Sequence, residues 1–220
     1  MKTIAINGSP RRNKNTAKIL KAALRGASDA GTDIELIHLY DLNYKGCISC
    51  FQCKKKGSIP CHCYLKDELS PVLEKVLSAD ILLLGSPIYF QNVTSQMRAF
   101  LERLGFITLS YDNIEQRLFQ GHISSAFFYT MNIPSDLSDA YDYQSIFKNS
   151  YRPLRRLGGS FEYYPVYDTW QFDDYLDYHA AGINVSRKKA VLKEQFPKDL
   201  DAAYKIGQKL ALKVAMTKNS

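Results

Sequence analysis

Thr3-Ile-Ala-Ile6, followed at once by Asn7-Gly8-Ser9-Pro10-Arg11-Arg12-Asn13-Lys14-Asn15-Thr16, decides how this chain folds. The first four residues are a β-prone apolar run ending in Asn-Gly, so a buried strand runs into a turn. Asn15 and Thr16 are suited to cap a helix, and Ala17, Leu20, Leu24 and Ala27 then recur at helical spacing until Gly31. A strand, a short turn and a helix in immediate succession aim backbone N–H groups and the positive end of the helix dipole at the carboxyl end of the strand. That is an anion site. Ser9, Asn15 and Thr16 add side-chain donors, and Arg11 or Arg12 adds compensating charge. The loop has neither the lysine-bearing triphosphate pattern nor the three-glycine dinucleotide fingerprint, so it points to a terminal monophosphate rather than to ATP or a strand-crossing NAD. The bland alternative is a tight turn before a capped helix with ordinary surface cations.

The pattern repeats along the chain. Residues 34–39 read as a second strand, and a long irregular region spans about 40–66. Asp67 or Ser70 can cap a helix with Pro71 in its first turn and Leu69, Val72, Leu73, Val76 and Leu77 on one face. The run Ile81-Leu-Leu-Leu84 has the continuous apolarity of a strand covered on both faces, ended by Gly85-Ser86-Pro87. Helices near 94–104, 139–157 and 190–215 alternate with strands near 122–129 and 160–167. This alternation predicts one α/β domain over residues 1–220: a five-stranded parallel sheet, order 2-1-3-4-5, with helices on both faces. Residues 130–188, rich in Tyr and Asp, suggest an insertion whose structure the pattern does not define.

In that order the first and third strands are neighbours about 4.8 Å apart at the switch point where ligands bind. The loop after the third strand, Gly85-Ser-Pro-Ile-Tyr-Phe-Gln-Asn-Val-Thr94, therefore opens onto the same crevice as the first. Its aromatic side chains and backbone amides suit a flat ring with polar edges beside a phosphate site. Taken alone, they are equally consistent with core aromatics at a strand end.

Together, Gly8-Ser-Pro-Arg-Arg-Asn-Lys-Asn-Thr-Ala17 and the stretch from Gly85 to Leu104 resemble the NADPH-dependent FMN reductase group of the flavodoxin superfamily, including its iron-sulfur flavoprotein branch. The resemblance is specific over residues 1–110 and implies a flavodoxin-like fold. It implies that Ser9, Arg11, Asn15 and Thr16 bind the FMN phosphate and that Pro87, Ile88, Tyr89, Phe90 and Asn92 pack against the flavin ring. By position, Thr130, Met131 and Asn132 would border the ring as a third loop. Gln91 departs from the glycine common in that group, which leaves the backbone there less free to approach the flavin.

Five cysteines fall between residues 47 and 63. Cys47-x2-Cys50-x2-Cys53 resembles the compact pattern of iron-sulfur flavoproteins, in which Cys61 or Cys63 would supply the fourth ligand of a [4Fe-4S] cluster. Zinc on cysteine and His62 is a further option, and a cluster-free loop near a dimer partner is the favoured one. His38 and His122 lie in strands and form no catalytic constellation.

The formal charge is +7, and residues 1–25 hold seven cations and no acid. That concentration suits a phosphate-bearing ligand, and no nucleic-acid module accompanies it. No export signal or run of roughly 18 apolar residues is seen, so a cytoplasmic protein without membrane association is expected. The expected function is an FMN-dependent NAD(P)H:acceptor oxidoreductase reducing a quinone, flavin, nitro or azo compound, or metal ion. The flavin carries the chemistry, and no side chain is assigned as catalytic. The alternatives are an electron carrier with a [4Fe-4S] cluster and a non-enzymatic binding module, and the resemblance implies a homodimer or homotetramer.

Overall fold

Apolar residues occupy consecutive positions in the central strands because both faces of the sheet are covered, and their side chains part in alternation. The computed structural model describes residues 1–113 and 116–218. Its strands are β1 (Lys2–Asn7), β2 (Asp33–His38), β3 (Ile81–Tyr89), β4 (Asn92–Val93), β5 (Ile123–Thr130) and β6 (Gly158–Val166). The parallel order is β2-β1-β3-β5-β6, as the alternation predicts, and the two-residue β4 adds a sixth strand as an antiparallel arm on β3. On one face Ile4, Ile6, Leu82, Leu84, Phe127 and Tyr129 pack under α2 (Leu69–Leu77), α3 (Ser95–Thr108) and α4 (Tyr143–Tyr151). On the other, Ala5, Ile81, Leu83, Ala126 and Phe128 pack under α1 (Asn15–Asp29) and α6 (Phe196–Lys218).

The two helices of that second face cross closely. A Cβ on Gly207 would lie 1.9 Å from the Ala23 carbonyl oxygen, and one on Gly26 2.0 Å from that of Tyr204. The C-terminal helical segment differs from the single helix expected at 190–215. It comprises α5 (Val185–Ala190), a π-helical turn over Val191–Gln195, and α6. Two capping expectations separate. Asp67, one residue before the Glu68 N-cap position of α2, accepts through Oδ1 from the amides of Leu69 and Ser70 at 3.2 and 3.3 Å. Asn15 and Thr16, by contrast, sit inside α1, whose N-cap position is Lys14 and carries no side-chain cap. Gly85-Ser86-Pro87 does not end β3 either, because these residues stay in register with Phe128, Tyr129 and Thr130 of β5. Among the described residues no helix is long and apolar enough to cross a membrane.

Candidate cofactor site at the carboxyl edge of the sheet

The two Gly-Ser-Pro segments are bonded directly to each other. Gly8 N donates to Gly85 O at 2.7 Å, Thr94 Oγ1 to Gly8 O at 2.6 Å, and Thr94 N to Ser86 Oγ at 3.1 Å. The helices leave little room for a side chain at either glycine: a Cβ on Gly8 would lie 2.8 Å from Met97 Cβ, and one on Gly85 2.7 Å from Leu20 Cδ1. The first loop is further set by Asn7, whose Oδ1 accepts from Ser9 N at 3.0 Å while its Nδ2 meets His38 Nδ1 at 2.8 Å. Burial lowers the His38 pKa, with Arg12 adding to the effect, which favours the neutral ring in this contact. Ser9 Oγ accepts from Arg11 N at 3.2 Å. The amides of Asn15, Thr16 and Ala17 precede the first α-helical bond of α1, made by Lys18 N to Lys14 O at 3.0 Å, and lie at the positive end of its dipole.

Above these loops lies an open cleft of about 260 Å³. Ser9, Arg11, Asn15 and Thr16 line one end, Pro87, Ile88 and Tyr89 a side wall, and Thr130, Met131 and Asn132 the third border. Three segments far apart in sequence thus converge on one cleft. Thr16 Oγ1 and Thr130 Oγ1 share a hydrogen bond of 2.8 Å across the cleft floor. Phe90 and Asn92, expected beside them, do not line this cleft. Pairing of Ile88 with Val93 and Tyr89 with Asn92 folds the segment into a tight hairpin, and its ladder engages backbone that the sequence reading left free for a ligand. The turn residues Phe90 and Gln91 have φ of 47° and 59°, the left-handed pair of a two-residue turn. Glycine takes that conformation without steric cost, so Phe90 and Gln91 carry backbone strain that glycine would avoid. Phe90 and Gln91 instead border an adjoining hollow of about 490 Å³ with Ile133, Tyr141 and Tyr143.

A fourth wall was not anticipated from the sequence. Thr169, Gln171 and Phe172 line the cleft, and their segment is bonded to side chains expected to hold a phosphate. Asn15 Nδ2 donates to Trp170 O at 2.7 Å, Arg11 Nη1 to Gln171 O, and Lys14 pairs with Asp173. Tyr175 and Tyr178 both pack on Phe172, with the Phe172 and Tyr178 rings stacked at 4.0 Å. The only sequence signal for this strap is its density of aromatic and acidic residues.

The cysteine region forms a second centre. Cys47, Cys50, Cys53 and Cys63 line one small apolar cavity of about 20 Å³ together with Phe51, Tyr64, Phe106 and the fully buried Arg103. Of the two candidates for a fourth ligand, Cys63 faces this cavity and Cys61 does not. His62 turns away, pairing with Glu74 at 3.1 Å. Arg103 ties the region to α3, donating to Lys45 O (3.2 Å), Ser70 Oγ (2.9 Å), Asp67 Oδ2 and Cys63 Sγ (3.2 Å). Lys54 Nζ donates to Leu109 O at 2.6 Å, just past the end of α3. Burial raises the Cys53 and Cys61 thiol pKa values. Among the described residues no group of three His, Cys, Asp or Glu side chains is placed to hold a metal ion.

The first donor set fits the FMN the resemblance implies, whereas the second gathers thiols at one cavity of about 20 Å³. The first has a helix N-terminus and cations at one end of the cleft and apolar walls at the other. The second offers four thiols around a cavity beside a buried guanidinium that is paired with Asp67.

Comparisons with known proteins agree with this geometry. An iron-sulfur flavoprotein of Methanocaldococcus jannaschii is 37% identical over 103 residues, covering 47% of this chain and 51% of the relative. One from Archaeoglobus fulgidus is 34% identical over 125 residues, covering 57% and 59%. The chain thus spans about half the length of the curated relatives it matches. Among solved structures, an NAD(P)H:quinone oxidoreductase from Methanothermobacter marburgensis superposes with a TM-score of 0.69 at 16% identity, covering 96% of this chain and 98% of that one. An azoreductase from Bacillus anthracis str. Sterne gives 0.65 at 16% identity, covering 94% and 99%. At such identity the likeness is one of fold, and the fold is flavodoxin-like. The family profile described as NADPH-dependent FMN reductase matches residues 1–132, more than half of the 220. On that match, with the two Gly-Ser-Pro loops joined at the switch point, the chain belongs to the NADPH-dependent FMN reductase family.

Proposed function

We propose that this chain is an FMN-dependent oxidoreductase that takes electrons from NAD(P)H and passes them to a small acceptor, a quinone, flavin, nitro or azo compound, or metal ion. The observation that carries this reading is the Gly8–Gly85 hydrogen bond. It joins the two loops so that the α1 N-terminus and the Pro87–Tyr89 wall share one cleft. Bound FMN supplies hydride and single-electron chemistry, and the protein binds, orients and shields it. Ser9, the first amides of α1, Arg11 and Asn15 hold a phosphate, for which Arg11 and Asn15 exchange their strap carbonyl partners. Pro87, Ile88 and Tyr89 form an apolar wall, and the 169–172 strap limits the entry of water. A phosphate site predicts strong preference for FMN over riboflavin, since losing the phosphate leaves its donors unpaired. Fluorescence titration of the apoprotein with each flavin tests it, and equal affinities refute it. Failure to retain any flavin would favour a non-enzymatic binding module instead.

A second reading is favoured by the convergence of Cys47, Cys50, Cys53 and Cys63 on one cavity: a [4Fe-4S] site that makes the protein an electron carrier. Anaerobically purified protein would then contain about four iron and four sulfide per chain. The triple variant with Cys47, Cys50 and Cys53 as serine would lose both and keep FMN, and flavin without iron in the wild type overturns this reading. Ile48, Phe51 and Ile59 are exposed around the same loop, a surface suited to the homodimer or homotetramer the resemblance implies.

A further inference from the structure

Lys188 is the buried cation that the proposed function does not use. It is 1% exposed, and its ammonium donates to Asp168 Oδ1 at 2.6 Å, Asn132 O at 3.0 Å and Thr169 O at 3.2 Å. An ammonium has three N–H groups, so none is left over. The two carbonyls belong to two different borders of the cleft, Asn132 on the loop after β5 and Thr169 on the strap after β6. Those borders are already zipped together, with Asp168 N donating to Ile133 O at 2.8 Å and Thr169 N to Met131 O at 2.9 Å. Asp168 holds a left-handed φ of 51°, and its other oxygen pairs with Arg187 Nε at 2.7 Å. A fully buried lysine is rare unless paired and hydrogen-bonded, and its desolvation is costly. Two cations on one carboxylate leave a net positive charge behind the cleft wall.

We propose that Lys188 is a positioning residue that ties the carbonyls of Asn132 and Thr169 to a buried positive charge, and so favours the reduced, electron-rich form of a flavin bound in the cleft. Carbonyl oxygens free to turn toward the cleft would oppose added electron density, and a cation behind the wall supports it. Arg187 shares the carboxylate but is partly exposed and contacts neither carbonyl, so it serves as the control.

The inference rests on FMN occupying the cleft, and its test separates the two. Midpoint potentials are measured spectroscopically on FMN-loaded wild type, Lys188→Met, Arg187→Met and Asp168→Asn. Lys188→Met should lower the ratio of reduced-state to oxidised-state FMN affinity about tenfold, equivalent to about 30 mV downward for a two-electron couple. Arg187→Met should change it less than threefold. Asp168→Asn leaves Lys188 without its neutralising partner, and Asn tolerates the left-handed backbone, so the ratio should rise. Should Lys188→Met not fold, the direction of the Asp168→Asn shift decides. An unchanged potential in Lys188→Met, an equal shift in Arg187→Met, or a fall in Asp168→Asn overturns the role of Lys188 while leaving FMN binding intact. A wild type that binds no FMN overturns both.

Discussion

Replacing Arg103 by Met should be among the most damaging single changes outside the cofactor cleft. The guanidinium is 1% exposed and bonds Lys45 O, Ser70 Oγ, Asp67 Oδ2 and Cys63 Sγ, so one side chain fastens three parts of the 45–70 segment to α3. Met matches much of its apolar stem but leaves the mostly buried Asp67 carboxylate without its cation. Breaking a buried pair from one side costs about 3–5 kcal/mol. For a chain of this size each kcal/mol is worth about 2–4 °C, so the melting temperature should fall by roughly 6–20 °C. Acidity supplies a second signature. Burial by itself raises the Asp67 pKa, but the hydrogen bond and charge of Arg103 outweigh it and hold the carboxyl below its ordinary value. A carboxyl depressed in the folded state contributes stability above its unfolded pKa of about 3.9, and that contribution is lost as pH falls through the folded value. In Arg103→Met burial, the largest influence, is opposed only by backbone hydrogen bonds, so the gap between variant and wild type should narrow on acidification from pH 7 toward about 3.5. Urea melts at both pH values measure the gap, and Asp67→Asn in the variant background should recover part of the loss. A loss below about 1 kcal/mol, or a gap independent of pH, would refute the pairing argument.

Gly207→Ala should destabilise by about 1–3 kcal/mol or more, because the new methyl meets the Ala23 carbonyl at 1.9 Å and α1 and α6 must separate; an unchanged thermal midpoint contradicts the close crossing. Thr16→Val removes the 2.8 Å bond to Thr130 and a hydroxyl facing the cleft, and should weaken FMN about tenfold, or about 1.4 kcal/mol, by apoprotein titration. Unaltered affinity in a folded variant would mean the phosphate binds elsewhere. Gln91→Gly relieves a left-handed φ of 59° but adds unfolded-state entropy, so denaturant melts should show a change within about 1 kcal/mol of zero. A loss of several kcal/mol would show that the Gln91 side chain has a structural role.

What this sequence determined by itself was everything carried by short-range pattern. The run Ile81-Leu-Leu-Leu84 announces a strand covered on both faces, and its side chains do divide, Leu82 and Leu84 to one layer, Ile81 and Leu83 to the other. The two Gly-Ser-Pro segments announce a ligand crevice because each follows an apolar strand, and the sheet order makes those strands neighbours. Even there local chemistry was insufficient at the edges. Gly85-Ser86-Pro87 looks like a strand end but continues to pair, since β5 lies alongside to receive it. Tertiary structure alone decided the long-range contacts. The strap whose carbonyls occupy Arg11 and Asn15 lies about 155 residues beyond them in the chain, and no periodicity encodes such a meeting. The choice of Cys63 over Cys61 depends on which thiol the loop turns inward, where Arg103 waits 40 positions away. Lys188 reads in sequence as one more surface cation in a basic stretch. It is buried because packing of α5 sets it against two carbonyls and a carboxylate, contacts that exist only once the sheet has brought β5 and β6 side by side.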